Sequence, residues 1–145
     1  MRIVADLHIH SRFSRATSRD LDFPALHRSA LEKGIQLLGT GDFTHPGWMR
    51  EIEEQLVPAE QGLFRLRDEL ARKAEEGLPA ICRAGYVRFA LQVEVSNIYK
   101  RDGKVRKNHN LVFVPGLEPA RRLIEKLSAI GNLASDGRPI LGLDS

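Results

Sequence analysis

Arg2-Ile3-Val4-Ala5-Asp6-Leu7-His8-Ile9-His10 alternates with a period of two. Ile3, Ala5, Leu7 and Ile9 share one parity, and Asp6, His8 and His10 share the other. That period is the signature of a β-strand and sets both histidines on one face. Imidazole is the commonest metal ligand, so His8 and His10 together form a candidate ligand pair. The same pattern also suits two polar residues on a half-exposed strand. Asp6, on the histidine face, is placed to orient an imidazole from behind.

The segments after this strand favour the ligand reading. A polar loop, Ser11 to Asp20, carries Arg12, Arg15 and Arg19. Asp22 then caps a helix with Pro24 in its first turn, an apolar stripe at Leu26, Ala30 and Leu31, and a stop at Gly34. Ile35 to Gly41 reads as a second buried strand running into Asp42, with His45 close behind. If the two strands are parallel, Asp42 and His45 lie at the same end as His8 and His10. The carboxyl end of parallel strands is where active sites of α/β barrels gather.

Pro46 opens a short helix through Leu56, broken at Pro58. Ala59, Leu63, Leu66, Leu70 and Ala74 keep helical spacing up to Gly77, which predicts one long amphipathic helix. Tyr86 to Tyr99 and Val105 to Val114 are strand-like, and Asp102-Gly103 between them predicts a tight hairpin linking the third and fourth strands of this reading. Ala120, Leu123, Ile124 and Leu127 mark a last helix that Gly131 ends; Asn132 to Ser145 reads as loop. The order is α/β and looks unfinished.

Glu94 sits in Leu91-Gln92-Val93-Glu94-Val95-Ser96, whose odd positions are apolar. An acid in such a run either faces solvent or is bound to something positive inside. The hairpin brings His109 back toward Glu94, and both toward His8 and His10. Three histidines and a carboxylate on one rim suit Zn²⁺, Mn²⁺ or Fe²⁺, and a bridging Glu94 implies more than one ion.

Composition is that of an ordinary globular domain: 145 residues, 42% hydrophobic and 28% charged. The formal charge of +3 fits an anionic partner without requiring one. Cys82 is the only cysteine, which excludes an intramolecular disulfide framework and a multi-cysteine zinc cluster. The N-terminus has no signal-peptide apolar run and no stretch is long enough to span a membrane, so a cytoplasmic protein without membrane contact is expected.

Four motifs in order, Asp6-Leu7-His8-Ile9-His10-Ser11, Gly39-Thr40-Gly41-Asp42, Val93-Glu94-Val95 and His109-Asn110-Leu111, resemble those of the PHP (polymerase and histidinol phosphatase) superfamily. Within it, the run from Asp6 through Ser18 and the run Leu38-Gly39-Thr40-Gly41-Asp42-Phe43-Thr44-His45-Pro46 are most similar to the endonuclease Q branch. The resemblance implies a partial, distorted (β/α)₇ barrel and one phosphoesterase domain over residues 1–145, truncated at its C-terminus. It makes His8 and His10 ligands of one ion, Glu94 a bridging carboxylate and His109 a ligand of a neighbouring ion, in a centre of two or three divalent metals. His45 substitutes for the histidine that the family sets directly after Asp42. Arg15 and Ala16 stand where the family usually has an acid or histidine, and the family's closing Asp-x-His pair has no counterpart.

The implied activity is metal-dependent hydrolysis of a phosphodiester by a DNA repair endonuclease acting at damaged or deaminated bases. Asp42 and Glu94 are the expected catalytic carboxylates, with Asp42 orienting a water. Arg12 and Arg15 in the first loop, and Lys104 and Arg106 on the hairpin, are candidate substrate contacts to a DNA backbone, alongside Arg19, Lys100, Arg101 and Lys107. These cations also suit a solvated surface. Phe43 and Trp48 either meet an unstacked base or belong to the core. Two rival functions follow from the same residues: a small-molecule phosphatase of the histidinol-phosphatase type, and a catalytically silent module that binds metal or DNA.

Overall fold

The computed structural model describes residues 2–15 and 17–142. Ala16 and the end of the tail, residues 143–145, lie outside them. Among the described residues the chain runs β1 (Ala5–Asp6), α1 (Phe23–Lys33), β2 (Leu37–Gly39), α2 (Pro46–Gln55), β3 (Leu56–Pro58), β4 (Phe64–Leu66), α3 (Asp68–Ala74), α4 (Ala80–Arg83), β5 (Arg88–Arg101), β6 (Lys104–Val114), α5 (Leu117–Ser128) and β7 (Ile140–Gly142). None of the helices is long and apolar enough to cross a membrane.

The seven strands form one mixed sheet in the order β1-β2-β5-β4-β3, with β6 and β7 also paired to β5. β1, β2 and β5 are parallel, so β1 and β2 end on the same side, as the sequence predicts. Among the described residues the sheet is open rather than closed into a barrel, because β1 pairs only with β2. β5 is its axis: its first residues pair with β2 and β4, and its later ones with β6 and β7.

The caps of α1 form as their chemistry requires. Asp22 accepts the Ala25 N–H at 2.8 Å, Pro24 sits in the first turn, and Gly34 closes the helix at φ 70°. The hairpin also forms where Asp102-Gly103 sets it, with positive φ at both residues (52° and 71°), as a two-residue turn demands.

Two expectations fail locally. The strand expected over residues 2–10 contracts to Ala5–Asp6, since only that stretch finds a ladder partner in β2. Beyond it the His8 N–H turns to the Asp6 carboxylate at 3.3 Å, and Ile3 and Leu7 stay partly exposed. The long helix expected over residues 59–77 is instead a β3–β4 hairpin followed by the short α3. Gly62, at φ 79°, makes the turn, and Phe64 and Leu66 are buried while Arg65 between them is not. A period of two wins over the coincidental helical spacing of Leu63, Leu66 and Leu70. The added pair makes the hairpin strands the fifth and sixth rather than the third and fourth.

The core lies where α1 and α2 pack on β2, β4 and β5. Trp48 is fully buried, stacked on Phe23 at 4.2 Å and donating from Nε1 to the Thr40 carbonyl at 3.0 Å. Phe43 is equally buried, so both aromatics belong to the core rather than to a base-contacting surface. The Trp48 bond fixes the chain at the end of β2, and Gly41 then brings that end against β1. At φ 68°, Gly41 approaches so closely that a Cβ would lie 2.8 Å from the Ile9 carbonyl oxygen. Gly41→Ala should therefore cost about 2 kcal/mol of stability through left-handed strain and forced separation of the strands. Urea unfolding followed by the fluorescence of the single tryptophan measures this, and an unchanged midpoint would mean that the approach is not a constraint.

Candidate metal centre

The end of β1, the loop after it, the end of β2 and the middle of β5 meet at one place. Glu94, only 3% exposed, is the focus. Its Oε2 lies 2.9 Å from His8 Nε2 and 2.9 Å from His10 Nε2. Its Oε1 pairs with His109 Nδ1 and lies 3.5 Å from Arg138 Nη1. Burial alone would raise the Glu94 pKa. Hydrogen bonds from His8 and His109, with the charges of Arg138 and His10, outweigh it and hold the group at about 2.

Strand register explains why His109 arrives. Ser96 faces His109 across the ladder and Leu111 faces Glu94, so Glu94, Ser96 and His109 share one face. Lys107, opposite Ile98, is on that face too. Arg106 and Lys104 pair with Tyr99 and Arg101 and therefore point to the other face.

Asp42 has no exposed surface. Its Oδ1 accepts from His10 Nδ1 at 3.0 Å; its Oδ2 accepts the Ser11 N–H at 2.6 Å, the Ser11 hydroxyl at 2.7 Å and the Ser14 hydroxyl at 2.9 Å. Such an acid holds an imidazole in place from behind. Asp42 thus stands behind the His10 ring, whereas Asp6 accepts the His8 backbone N–H. His10 has carboxylates at both ring nitrogens, Asp42 at Nδ1 and Glu94 at Nε2. The hydrogen bond to Asp42 raises its pKa most, burial opposes this, and the Asp42 and Glu94 charges add to the rise.

His45 is not part of this cluster. Its Nδ1 accepts the Gly47 N–H at 3.1 Å as the N-cap of α2, and its ring stacks on Phe13 at 4.3 Å. Burial pushes its pKa down, partly offset by a backbone hydrogen bond at Ala134 and the charges of Asp42 and Asp136. Arg12 donates to Glu51 at 2.6 Å and ties the first loop to α2. Arg15 is open to solvent, 3.4 Å from Asp136, and Lys104 and Arg106 are exposed near the hairpin turn.

Sequence reasoning missed Ser11, Ser14 and Arg138. The two serines had no signal beyond their proximity to His10, and Arg138 lay in a tail read as loop. Its neighbour Gly137 sits where a Cβ would collide with the Asp42 and Ser14 side chains, which the sequence does not show.

Because Asp42 is the largest cause of the raised His10 pKa, Asp42→Asn should bring the His10 titration back toward 6.5, its ordinary value. A histidine with a raised folded pKa stabilises the chain fully below the ordinary value and loses that contribution as pH rises through the folded one. The variant should lose this component of the pH dependence. NMR titration of the His10 ring reads it directly, and an unmoved midpoint would remove Asp42 from the role assigned to it.

No protein-family profile matches the chain. Over 49 residues, 34% of this chain and 6% of the relative, it is 47% identical to the uncharacterized protein MJ0043 of Methanocaldococcus jannaschii. Among solved structures it is similar to the lesion-specific endonuclease PfuEndoQ from Pyrococcus furiosus, at 32% identity and a TM-score of 0.73 over 97% of this chain. It is similar as well to endonuclease Q in complex with a 27-mer duplex bearing an abasic lesion at the active site, at 32% identity and a TM-score of 0.72 over 96% of the chain. In both cases the match spans 29% of the solved chain. In sequence and in fold, nearly the whole chain is thus similar to endonuclease Q, an enzyme of the PHP type.

Proposed function

We propose that this chain carries metal ligands of a PHP-type phosphodiesterase that acts on DNA at deaminated or abasic positions. The observation that supports it most is the convergence of His8, His10 and Glu94, whose ligand atoms all lie within 4.8 Å of one another. Two imidazoles and one carboxylate are the donors of catalytic rather than closed structural sites, and they leave coordination positions open. Zn²⁺, Mn²⁺ and Fe²⁺ all suit such a nitrogen–oxygen set. We read residues 1–145 as belonging to one such domain, and the open sheet as part of a distorted (β/α)₇ barrel.

Each residue has a separate task in this reading. His8 and His10 offer Nε2, and Asp42 holds the His10 ring by its other nitrogen so that Nε2 faces inward. Glu94 presents Oε2 to those rings and Oε1 to His109, as a bridging carboxylate would. When bound, divalent ions supply Lewis acidity to the phosphoryl oxygens and lower the pKa of a water nucleophile. Because Asp42 and Glu94 raise the His10 pKa, protons compete more strongly with a metal for its ring, and affinity falls as pH drops.

Mn²⁺ or Zn²⁺ titration of the purified chain tests the ligand set. Glu94→Gln should weaken binding by more than the roughly 10–100-fold that loss of a supporting residue costs. Equal affinity in wild type and variant would leave the cluster an ordinary ion-pair network.

The DNA reading is tested on the hairpin. Lys107 shares the Glu94 face, whereas Lys104 and Arg106 do not. Salt-dependent titration against a duplex with an abasic site should show each phosphate contact as about one unit of slope. Lys107→Ala is expected to reduce the slope, and the Lys104→Ala, Arg106→Ala pair to reduce it only if DNA also runs along the far face. Wild-type affinity and slope in both variants would mark the ribbon as solvated surface.

A further inference from the structure

Arg138 occupies the turn that leads into β7, and the turn is fastened at several points. Its own N–H donates to Asp136 Oδ1 at 3.2 Å, and the Gly137 N–H donates to the Phe13 carbonyl at 3.1 Å. Gly137 presses so closely on Asp42 and Ser14 that no side chain fits there. The turn is held against the floor beneath His10, and the backbone rather than the head group decides where Arg138 lies.

The guanidinium itself is poorly used. Nη1 reaches Glu94 Oε1 only at 3.5 Å, the outer limit of a hydrogen bond, and Nε is buried with no hydrogen-bond partner among the described residues. A buried cationic N–H without an acceptor is destabilising, so its retention needs a reason. Beside it lies a cleft of about 130 Å³ lined by His10, Ser14, Arg15, Asp136 and Arg138. Arg15 enters from the first loop with its side chain open to solvent, and Asp136 balances one of the two cations. The other, Arg138, stands beside the histidines with Glu94 as its carboxylate at 3.5 Å.

We infer that Arg138 and Arg15 form an anion subsite in this cleft that takes the non-bridging oxygens of one phosphoryl group. A planar guanidinium presents paired N–H groups that match two such oxygens, and a half-buried fork placed by its backbone loses little freedom on binding. The role in catalysis rests on the phosphodiesterase reading, because it holds the ester next to the Glu94 cluster. The binding of an oxyanion does not rest on it. The rival is a plain counter-ion to Glu94, which would use Arg138 for charge alone.

The test is calorimetric titration of the 145-residue chain with inorganic phosphate, with and without Mn²⁺, at constant ionic strength. Wild type, Arg138→Gln, Arg138→Lys and Arg15→Gln are compared, with thermal melting as a check on folding. Phosphate should bind the wild type. Arg138→Gln should weaken it by about tenfold or more, the effect of a lost charge-assisted hydrogen bond. Arg138→Lys keeps the charge without the fork and should fall between the two, and Arg15→Gln should also weaken binding. Should Arg138→Gln fail to fold, the last two variants carry the same expectation. Mn²⁺ stoichiometry should be the same in all. Absence of phosphate binding, equal phosphate affinity in every variant, or an extra Mn²⁺ in Arg138→Gln would overturn the subsite; the last would make Arg138 a substitute for an ion. Arg138-dependent phosphate binding by a chain that takes up no Mn²⁺ would support the subsite and sink the metal reading instead.

Discussion

Everything around the candidate centre follows from one carboxylate being out of water. Glu94 lies in the middle of the longest strand, 3% exposed, and stays ionised. An unpaired buried carboxylate is among the most costly features a fold can carry, so positive or protonated groups must surround it. His8 and His10 come from one edge of the sheet, His109 from the returning arm of the hairpin, and Arg138 from the approach to β7. Four distant parts of the sequence therefore converge for an electrostatic reason before any ligand is considered. The same convergence is what a divalent cation needs, which is why ion-pair network and metal ligands look alike in the free chain.

Asp42 is a second buried acid, and its solution is different. Instead of cations it collects hydrogen-bond donors: one imidazole N–H, one backbone N–H and two hydroxyls. Its backbone has φ of 44°, uncommon for a residue with a side chain, directly after Gly41. The two consecutive left-handed residues turn the end of β2 so that the carboxylate points back at the loop after β1. Local backbone strain at the strand end is thus compensated by four short bonds, and the result is a histidine ring with fixed orientation.

Features that depend on local chemistry were legible in the sequence. Asp22, Pro24 and Gly34 delimit α1 because caps act within a turn, and Asp102-Gly103 places the hairpin because both residues tolerate positive φ. His8, His10, Glu94 and His109 followed from strand parity and one turn. What needed tertiary information was lost. Residues 59–66 carry apolar spacing that fits a helix, and only pairing with β3 and β5 makes β4 a strand. Nothing in sequence says that the Nδ1 of His45 caps α2. Arg138 was invisible too: the fit of Gly137 under Asp42, which places it, exists only in three dimensions.

β1 has one consequence for how the polypeptide behaves in bulk. Its two residues pair on one side only, so among the described residues the other side offers free amide and carbonyl groups beside Ile3, Val4 and Leu7, all partly exposed. Proteins usually blunt such an edge with charge, proline or a bulge, and here only Arg2 and Asp6 stand near it. An unguarded apolar edge is a template for the addition of another strand, whatever molecule supplies it. Concentration and ionic strength then govern whether these chains stay apart, because association through backbone bonds is insensitive to sequence and is opposed mainly by the chain's positive net charge.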